Sequence, residues 1–226
     1  MRRVGGGARE RVPGQHRSDG KVGPTRLCPR AGPVSTMQIS WKIPVADERY
    51  VADRAWERAA LCACPFHPAG GCGLQKLGTY GRVSPAGTRV ARWWCPVARR
   101  SVSLLPTFLA ARLSGTLDEV EAVVAAVEQA GGVTAALETV HPADAKGAVG
   151  LEGALRSMRR RVRAVHAALL AIVTLMPERF VGVMPTVLGL RAALSTQRVL
   201  VTLREIATRH LAALPTPLGL SARVSA

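Results

Sequence analysis

The chain has 226 residues and a formal net charge of +16, from 31 lysines and arginines against 15 aspartates and glutamates. This charge favours a polyanionic partner, either nucleic acid or an anionic membrane face, although a genome biased towards Arg, Ala and Gly codons would give the same excess. The sequence contains no apolar run long enough to cross a bilayer and no secretory signal pattern. We therefore expect a soluble, cytoplasmic protein with no membrane partner.

The amino-acid composition also limits the fold classes that the chain can adopt. Hydrophobic residues make up 48% of the chain, but aromatic residues only 4%. The core therefore has to be built from Leu, Val and Ala, which favours packed helices over extensive sheets. We predict a mainly α protein.

Residues 1–43 are rich in Arg, Gly and Pro and show almost no apolar periodicity. This composition predicts a disordered basic arm, which can contact phosphates. Met37 opens a more ordinary sequence, so a true start codon at Met37 is an equal alternative. We interpret Cys28, isolated in the arm, as an unpaired surface thiol.

Residues 44–106 form the second predicted segment. The spacing of apolar residues predicts a helix over 47–61. Residues 77–95 are typical of a β-hairpin, because Ser-Pro-Ala-Gly at 84–87 has proline and glycine at the positions that a type I turn favours. Alternation in the second strand places three side chains on one face, those of Ala91, Trp93 and Cys95.

The same segment concentrates potential metal ligands. Four of them fall within eleven residues and a fifth follows Trp93-Trp94, the set being Cys62, Cys64, His67, Cys72 and Cys95. Clustered thiolates and an imidazole favour four-coordinate zinc. We predict a structural zinc site made of Cys62, Cys64, Cys72 and Cys95, with His67 as an alternate for one cysteine. A metal-free remnant is the competing interpretation, because Ala98 stands where the second zinc knuckle would carry its other cysteine.

Residues 107–176 are predicted to form a helix-turn-helix-like region. A short apolar helix over 107–113 comes first, and Thr116 and Glu119 then match the capping box of a second helix, which Gly131-Gly132 ends. A short helix over 133–140 is stopped by Pro142. A long helix begins near Leu151.

The long helix carries two contrasting faces. Its apolar stripe consists of Leu155, Met158, Val162, Val165, Leu169 and Ile172, and the rest of its first half carries Arg156, Arg159, Arg160, Arg161 and Arg163. Guanidinium groups on a helix can bind phosphates bidentately and release counterions, although a solvated helix face is the alternative interpretation. The hairpin adds three further candidates for nucleic-acid binding, Arg82, Arg89 and Arg92.

Residues 177–226 are predicted to form a C-terminal helical hairpin that packs on the preceding helix. Its last helix is expected to run from about Thr186 to Leu214, where Pro215 and Pro217 stop it. Its leucines are expected to pack against the apolar stripe of the long helix.

Several of these motifs together resemble a known family. They are Cys62, Gly81-Arg82, Arg92-Trp93-Trp94-Cys95-Pro96, Ser103-Leu104-Leu105-Pro106, Thr116-Leu117 and the arginine-rich helix, and they are similar to bacterial insertion-element, transposase-associated proteins. In those proteins a zinc ribbon precedes a helix-turn-helix. The resemblance implies a small zinc-ribbon-like β-hairpin module at 44–106, a helical bundle after it, and DNA binding at element ends or host sites. The resemblance implies no enzymatic activity.

The leading hypothesis is a non-catalytic DNA-binding protein, nucleoid-associated in a bacterium, with structural zinc and no small-molecule substrate. Strand-transfer catalysis needs three carboxylates on a large mixed α/β core, and no room for that core is left after Leu113. One alternative is a helical protein–protein interaction module with a vestigial metal site, which can form a homo-oligomer. Another is a degenerate reading frame without selected function.

Overall fold

The computed structural model describes residues 36–43, 47–140 and 148–220, and these form a four-stranded mixed sheet followed by a helical region. The strands are β1 (Thr36–Trp41), β2 (Gln75–Gly81), β3 (Arg89–Cys95) and β4 (Arg100–Pro106). The helices are α1 (Leu117–Ala130), α2 (Val133–Val140), α3 (Ala148–Leu175), α4 (Val187–Leu194) and α5 (Val199–Ile206). The residues before 36, which include Cys28 and most of the predicted arm, lie outside the described residues, as does Pro142.

The sheet contains the predicted hairpin and extends it on one side. Its strand order is β1-β4-β3-β2, in which β3 is antiparallel to both β2 and β4, and β1 is parallel to β4. β1 comes from the end of the predicted arm, and the Ser-Leu-Leu-Pro motif at 103–106 lies in β4. A four-stranded mixed sheet is larger than the isolated hairpin that the sequence predicts.

Three predicted features of the helical region are confirmed. The Thr116 hydroxyl accepts a hydrogen bond from the Glu119 backbone N–H, and the Glu119 carboxylate accepts one from the Thr116 N–H, so the capping box starts α1. Gly131 ends α1 at a φ of +70°, a conformation that glycine adopts without a Cβ clash. The apolar stripe of α3 is also buried, with Met158, Val165, Leu169 and Ile172 each at most 1% exposed.

The helix predicted over 107–113 is wrong, because the carbonyls of this segment bond to two distant arginines instead of to one another. Arg204 on α5 donates to Thr107 O at 2.8 Å and to Leu109 O at 2.6 Å. Arg82 donates to Ala110 O at 3.1 Å and to Leu113 O. We call residues 107–113 the clamped loop. A backbone whose buried carbonyls are satisfied by side chains has no need of helical hydrogen bonds.

Two longer predicted helices are shorter in the structure. Residues 47–61 contain only two 3-10 turns, Asp47–Arg49 and Ala55–Glu57. The predicted helix over 186–214 is divided into α4 and α5, because Ser195 adopts a left-handed backbone with a φ of +51°. α4 and α5 pack mainly against α1 and share one hydrophobic core with the stripe of α3.

Two carboxylates on α1, one buried and one half-buried, cap the N-termini of α4 and α5. Glu128 accepts hydrogen bonds from Val187 N and Leu188 N, both at 2.9 Å, and Glu121 accepts one from Leu200 N at 2.9 Å. The two glutamates are seven residues apart and therefore lie on one face of α1. Each places a negative charge at a helix N-terminus, where free backbone N–H groups favour it.

We expect Glu121→Ala to lower the free energy of unfolding by about 2–4 kcal/mol. The change leaves Leu200 N–H without its acceptor and also removes the ion pair with Arg191 at 2.9 Å, in a position where Glu121 is 1% exposed. Denaturant unfolding measures the difference. The exposed Glu152→Ala is the matched control, expected to stay within about 0.5 kcal/mol of wild type, and equal stability of the two variants would contradict the capping role.

Candidate metal centre and basic cleft

Four potential ligands meet at one end of the hairpin. Cys95 is the last residue of β3, while Cys64, His67 and Cys72 come from the loop that precedes β2. Gly71 and Gly73, on either side of Cys72, have φ values of +76° and +63°, which allow the loop to turn tightly there. The three cysteines are at most 5% exposed and pack with Phe66, Leu74 and Ala98. We call Cys64, His67, Cys72 and Cys95 the metal centre.

Two of the donor separations in the metal centre match those of a tetrahedral site. His67 Nδ1 lies 3.4 Å from Cys95 Sγ and 3.7 Å from Cys64 Sγ, and all four donor atoms lie within 4.8 Å of one another. Zinc bonds of about 2.3 Å to sulfur and about 2.1 Å to nitrogen, at the tetrahedral angle, place the two donors about 3.6 Å apart. The four residues can therefore hold one metal ion.

The structure selects a different set of four from the one that the sequence favours. Cys62 is exposed and lies outside the metal centre, and His67, treated as an alternate, lies inside it. Cys64 and His67 are separated by two residues, which is the spacing of a zinc knuckle with histidine as its second ligand. This spacing is the signal in the sequence that identifies His67 as a candidate ligand.

The turn after Cys95 also keeps the geometry of a knuckle, although its second ligand is missing. The backbone N–H of Ala98, at the position of the absent cysteine, donates to Cys95 Sγ at 3.3 Å. Such a bond from the surrounding backbone orients a sulfur ligand and tunes its charge. Cys95 is thus held as a ligand without a partner cysteine in its own turn.

The thiols of the metal centre differ in their acidity. Burial alone would raise the pKa of Cys64, but hydrogen bonds with the His67 ring, the Phe66 backbone N–H and the neighbouring thiols lower this pKa to about 7. Burial raises the pKa of Cys72, and its interactions with Cys64 and Cys95 raise it further. One thiolate is therefore available near neutral pH, and a bound cation would stabilise the others.

A second feature is a basic cleft of about 620 Å³ between α3 and the end of the clamped loop. It is lined by five arginines together with Leu113, Ala164 and Thr216, the arginines being Arg112, Arg156, Arg159, Arg160 and Arg163. Among the described residues, none of those lining it is acidic. The four arginines from α3 are exposed. We call this feature the arginine cleft, and Arg112 is its one arginine that sequence reasoning missed, because it comes from a loop 44 residues before Arg156.

The remaining predicted nucleic-acid ligands lie elsewhere. Arg161 is half-buried and does not line the cleft. Arg82 holds the clamped loop through two backbone carbonyls, and burial lowers the pKa of its guanidinium, an effect that Tyr80 partly opposes. Arg89 donates to the Thr79 hydroxyl at 2.7 Å, and Arg92 lies half-buried on β3.

Comparison with protein-family models, with curated proteins and with solved structures finds no match to this chain. The similarity to insertion-element proteins therefore rests on the sequence motifs alone. Within the described residues, no helix is both long enough and apolar enough to cross a membrane.

We expect elemental analysis of the purified chain to find about one zinc ion per chain in wild type and in Cys62→Ser, and substantially less in His67→Ala and Cys72→Ser. The reason is that Cys62 lies outside the metal centre, whereas His67 and Cys72 each supply one of its four donor atoms. Cys62→Ser is the matched control, since it also removes one thiol. Loss of zinc from Cys62→Ser with retention in His67→Ala would contradict this ligand set.

We expect zinc affinity to fall as the pH is lowered through about 7, because below its pKa Cys64 carries a proton that the metal has to displace. Competition with a chromogenic chelator between pH 6 and 8 measures this. Cys62→Ser serves as the control and should follow the wild-type curve. An affinity that rises as the pH falls would contradict thiolate ligation.

Proposed function

We propose that this protein is a non-catalytic DNA-binding protein, derived from a mobile element, in which structural zinc stabilises the sheet and the four arginines that α3 contributes to the arginine cleft bind DNA. The observation that carries the proposal is the arginine cleft, where five guanidinium groups converge with no carboxylate among the residues that line it. The link to mobile elements rests on the motifs of the sequence, above all Arg92-Trp93-Trp94-Cys95-Pro96.

Zinc fits the metal centre better than magnesium or calcium does. Three thiolates and one imidazole are soft and borderline ligands, which favour zinc over magnesium or calcium. When bound, zinc would join Cys95 at the end of β3 to the loop before β2, and so contribute to folding stability. Four protein donors complete a tetrahedral shell, which supports a structural role over a catalytic one, since a catalytic zinc keeps a position open for water.

Nucleic acid fits the arginine cleft because the acids near α1 are already paired. Glu121 pairs with Arg191, Glu128 with His166, and Asp118 with Arg198. These carboxylates serve helix capping and ion pairing within the fold. These three carboxylates are therefore not paired with the four arginines that α3 contributes to the cleft, and phosphate is the group that guanidinium binds bidentately.

We expect duplex DNA to bind with an affinity that falls steeply with salt, and Arg159→Ala/Arg160→Ala to weaken binding by at least about tenfold at 0.1 M salt. The plot of log K against log salt should lose about two units of slope, one for each phosphate contact. Fluorescence anisotropy measures both quantities.

The matched control for this experiment is Arg179→Ala/Arg209→Ala, which removes the same charge from two exposed arginines of a different cleft. We expect it to keep most of the wild-type affinity. Equal weakening in the two double variants would mean that net charge alone drives binding, and no binding by the wild-type chain would reject DNA as the partner.

A further inference from the structure

We propose that the arginine cleft binds one phosphodiester strand along its length, so that α3 contacts the nucleic-acid backbone from within a cleft and does not enter a groove to contact bases. This inference rests on the proposed function and deepens it by naming where the nucleic acid binds and which part of the nucleic acid is contacted. It differs from the helix-turn-helix expectation, in which a recognition helix offers an unobstructed face to the major groove.

Four arginines of α3 lie on one face of the helix. Arg156, Arg159, Arg160 and Arg163 follow the i, i+3, i+4 and i+7 spacing that places side chains on one helical face. From Arg156 to Arg163 this face advances about 10 Å along the helix axis, at about 1.5 Å per residue. A nucleic-acid strand advances about 3.4 Å per phosphate along its axis, so about three phosphates fit beside it.

Residues from outside α3 form the opposite wall of the cleft. Arg112, Leu113 and Thr216 line the cleft together with α3, so a second wall stands beside the arginine face of α3, whose four arginines are exposed. A groove-binding helix needs its contact face clear, whereas a single strand needs only a channel lined by cations.

Hydrogen bonds hold this opposite wall in place. The Arg82 guanidinium donates to Leu113 O, and Ala111 N donates to Pro217 O at 2.9 Å. Arg204 donates to the same Pro217 carbonyl at 2.5 Å, next to Thr216. Both sides of the cleft are therefore held before any ligand arrives, which lowers the entropy cost of binding.

Backbone recognition has a consequence for specificity. Phosphate contacts position a nucleic acid but carry no direct sequence information. Two oligonucleotides of unrelated sequence and equal length should therefore bind within about twofold of each other, whereas a mismatched base pair in a base-contacting site costs about 1–3 kcal/mol.

The decisive variants are Arg112→Gly and Arg112→Asn. Arg112 has a φ of +58°, a left-handed conformation that glycine and asparagine both tolerate, so either change removes the guanidinium and keeps the backbone. At 0.1 M salt each should weaken binding of a 20-nucleotide single strand by about fivefold and lower the salt slope by about 0.7, as expected for one lost phosphate contact on a single strand. Thermal unfolding confirms that each variant is folded, and two different replacements guard against the failure of one.

The matched control is Arg161→Ala, which removes one arginine from the same helix but not from the cleft. It should leave both the affinity and the salt slope within about twofold of wild type. Polyglutamate with the same number of charges tests the competing class of ligand, an acidic protein, and it should bind more weakly than the oligonucleotide.

The outcomes separate the two proposals. If Arg159→Ala/Arg160→Ala weakens DNA binding but both Arg112 variants bind as wild type does, a strand held between the two walls of the cleft is rejected, and DNA binding by the α3 arginines stands. Strong preference for one oligonucleotide sequence, or tighter binding of polyglutamate, also overturns the cleft as a backbone site. If no nucleic acid binds to the wild-type chain, the proposed function fails, and the cleft proposal fails with it.

Discussion

The guanidinium of Arg204 lies between the sheet and the helical region and donates hydrogen bonds to the carbonyls of Thr107, Leu109 and Pro217. Arg204 is 2% exposed, and burial, together with the nearby charge of Arg82, lowers its pKa to about 9. The side chain is therefore still charged at neutral pH, and its planar fork can satisfy several carbonyls at once. Because these carbonyls belong to the clamped loop that follows β4 and to the C-terminal turn, one residue of α5 connects the end of the sheet, the helices and the wall of the arginine cleft.

The candidate metal centre and the arginine cleft lie on either side of the clamped loop along the chain. The four potential ligands bring the end of β3 next to the loop before β2, and β3 pairs with β4, which leads into the clamped loop. The clamped loop then supplies Arg112 and Leu113 to the cleft. Glu121 and Glu128 of α1 cap α5 and α4, whereas the four arginines of α3 that line the cleft are exposed. A surface with this excess of positive charge attracts polyanions.

Local signals in the sequence predict the elements that local chemistry determines. The capping box at Thr116 and Glu119, the glycine at 131, the apolar stripe of α3 and the alternation in β3 each involve residues within one or two turns, and each is confirmed. The features that sequence reasoning missed depend on partners far along the chain. Hydrogen bonds from Arg204 take the place of those in the helix expected over 107–113. Glu121 caps the N-terminus of α5 from 79 residues away, and β1 pairs with β4 in parallel. The choice of His67 over Cys62 depends on the direction of a loop, which periodicity does not report.

The most direct test of this account replaces Arg204 with lysine. Lysine keeps the positive charge but concentrates it in one ammonium group, which cannot reach three separate carbonyls. The account predicts that Arg204→Lys lowers the free energy of unfolding by about 2–4 kcal/mol, because buried carbonyls lose their donors, while the exposed control Arg209→Lys stays within about 0.5 kcal/mol of wild type. A denaturation curve of Arg204→Lys that coincides with that of wild type would contradict the claim that this guanidinium holds the sheet, the helices and the cleft together.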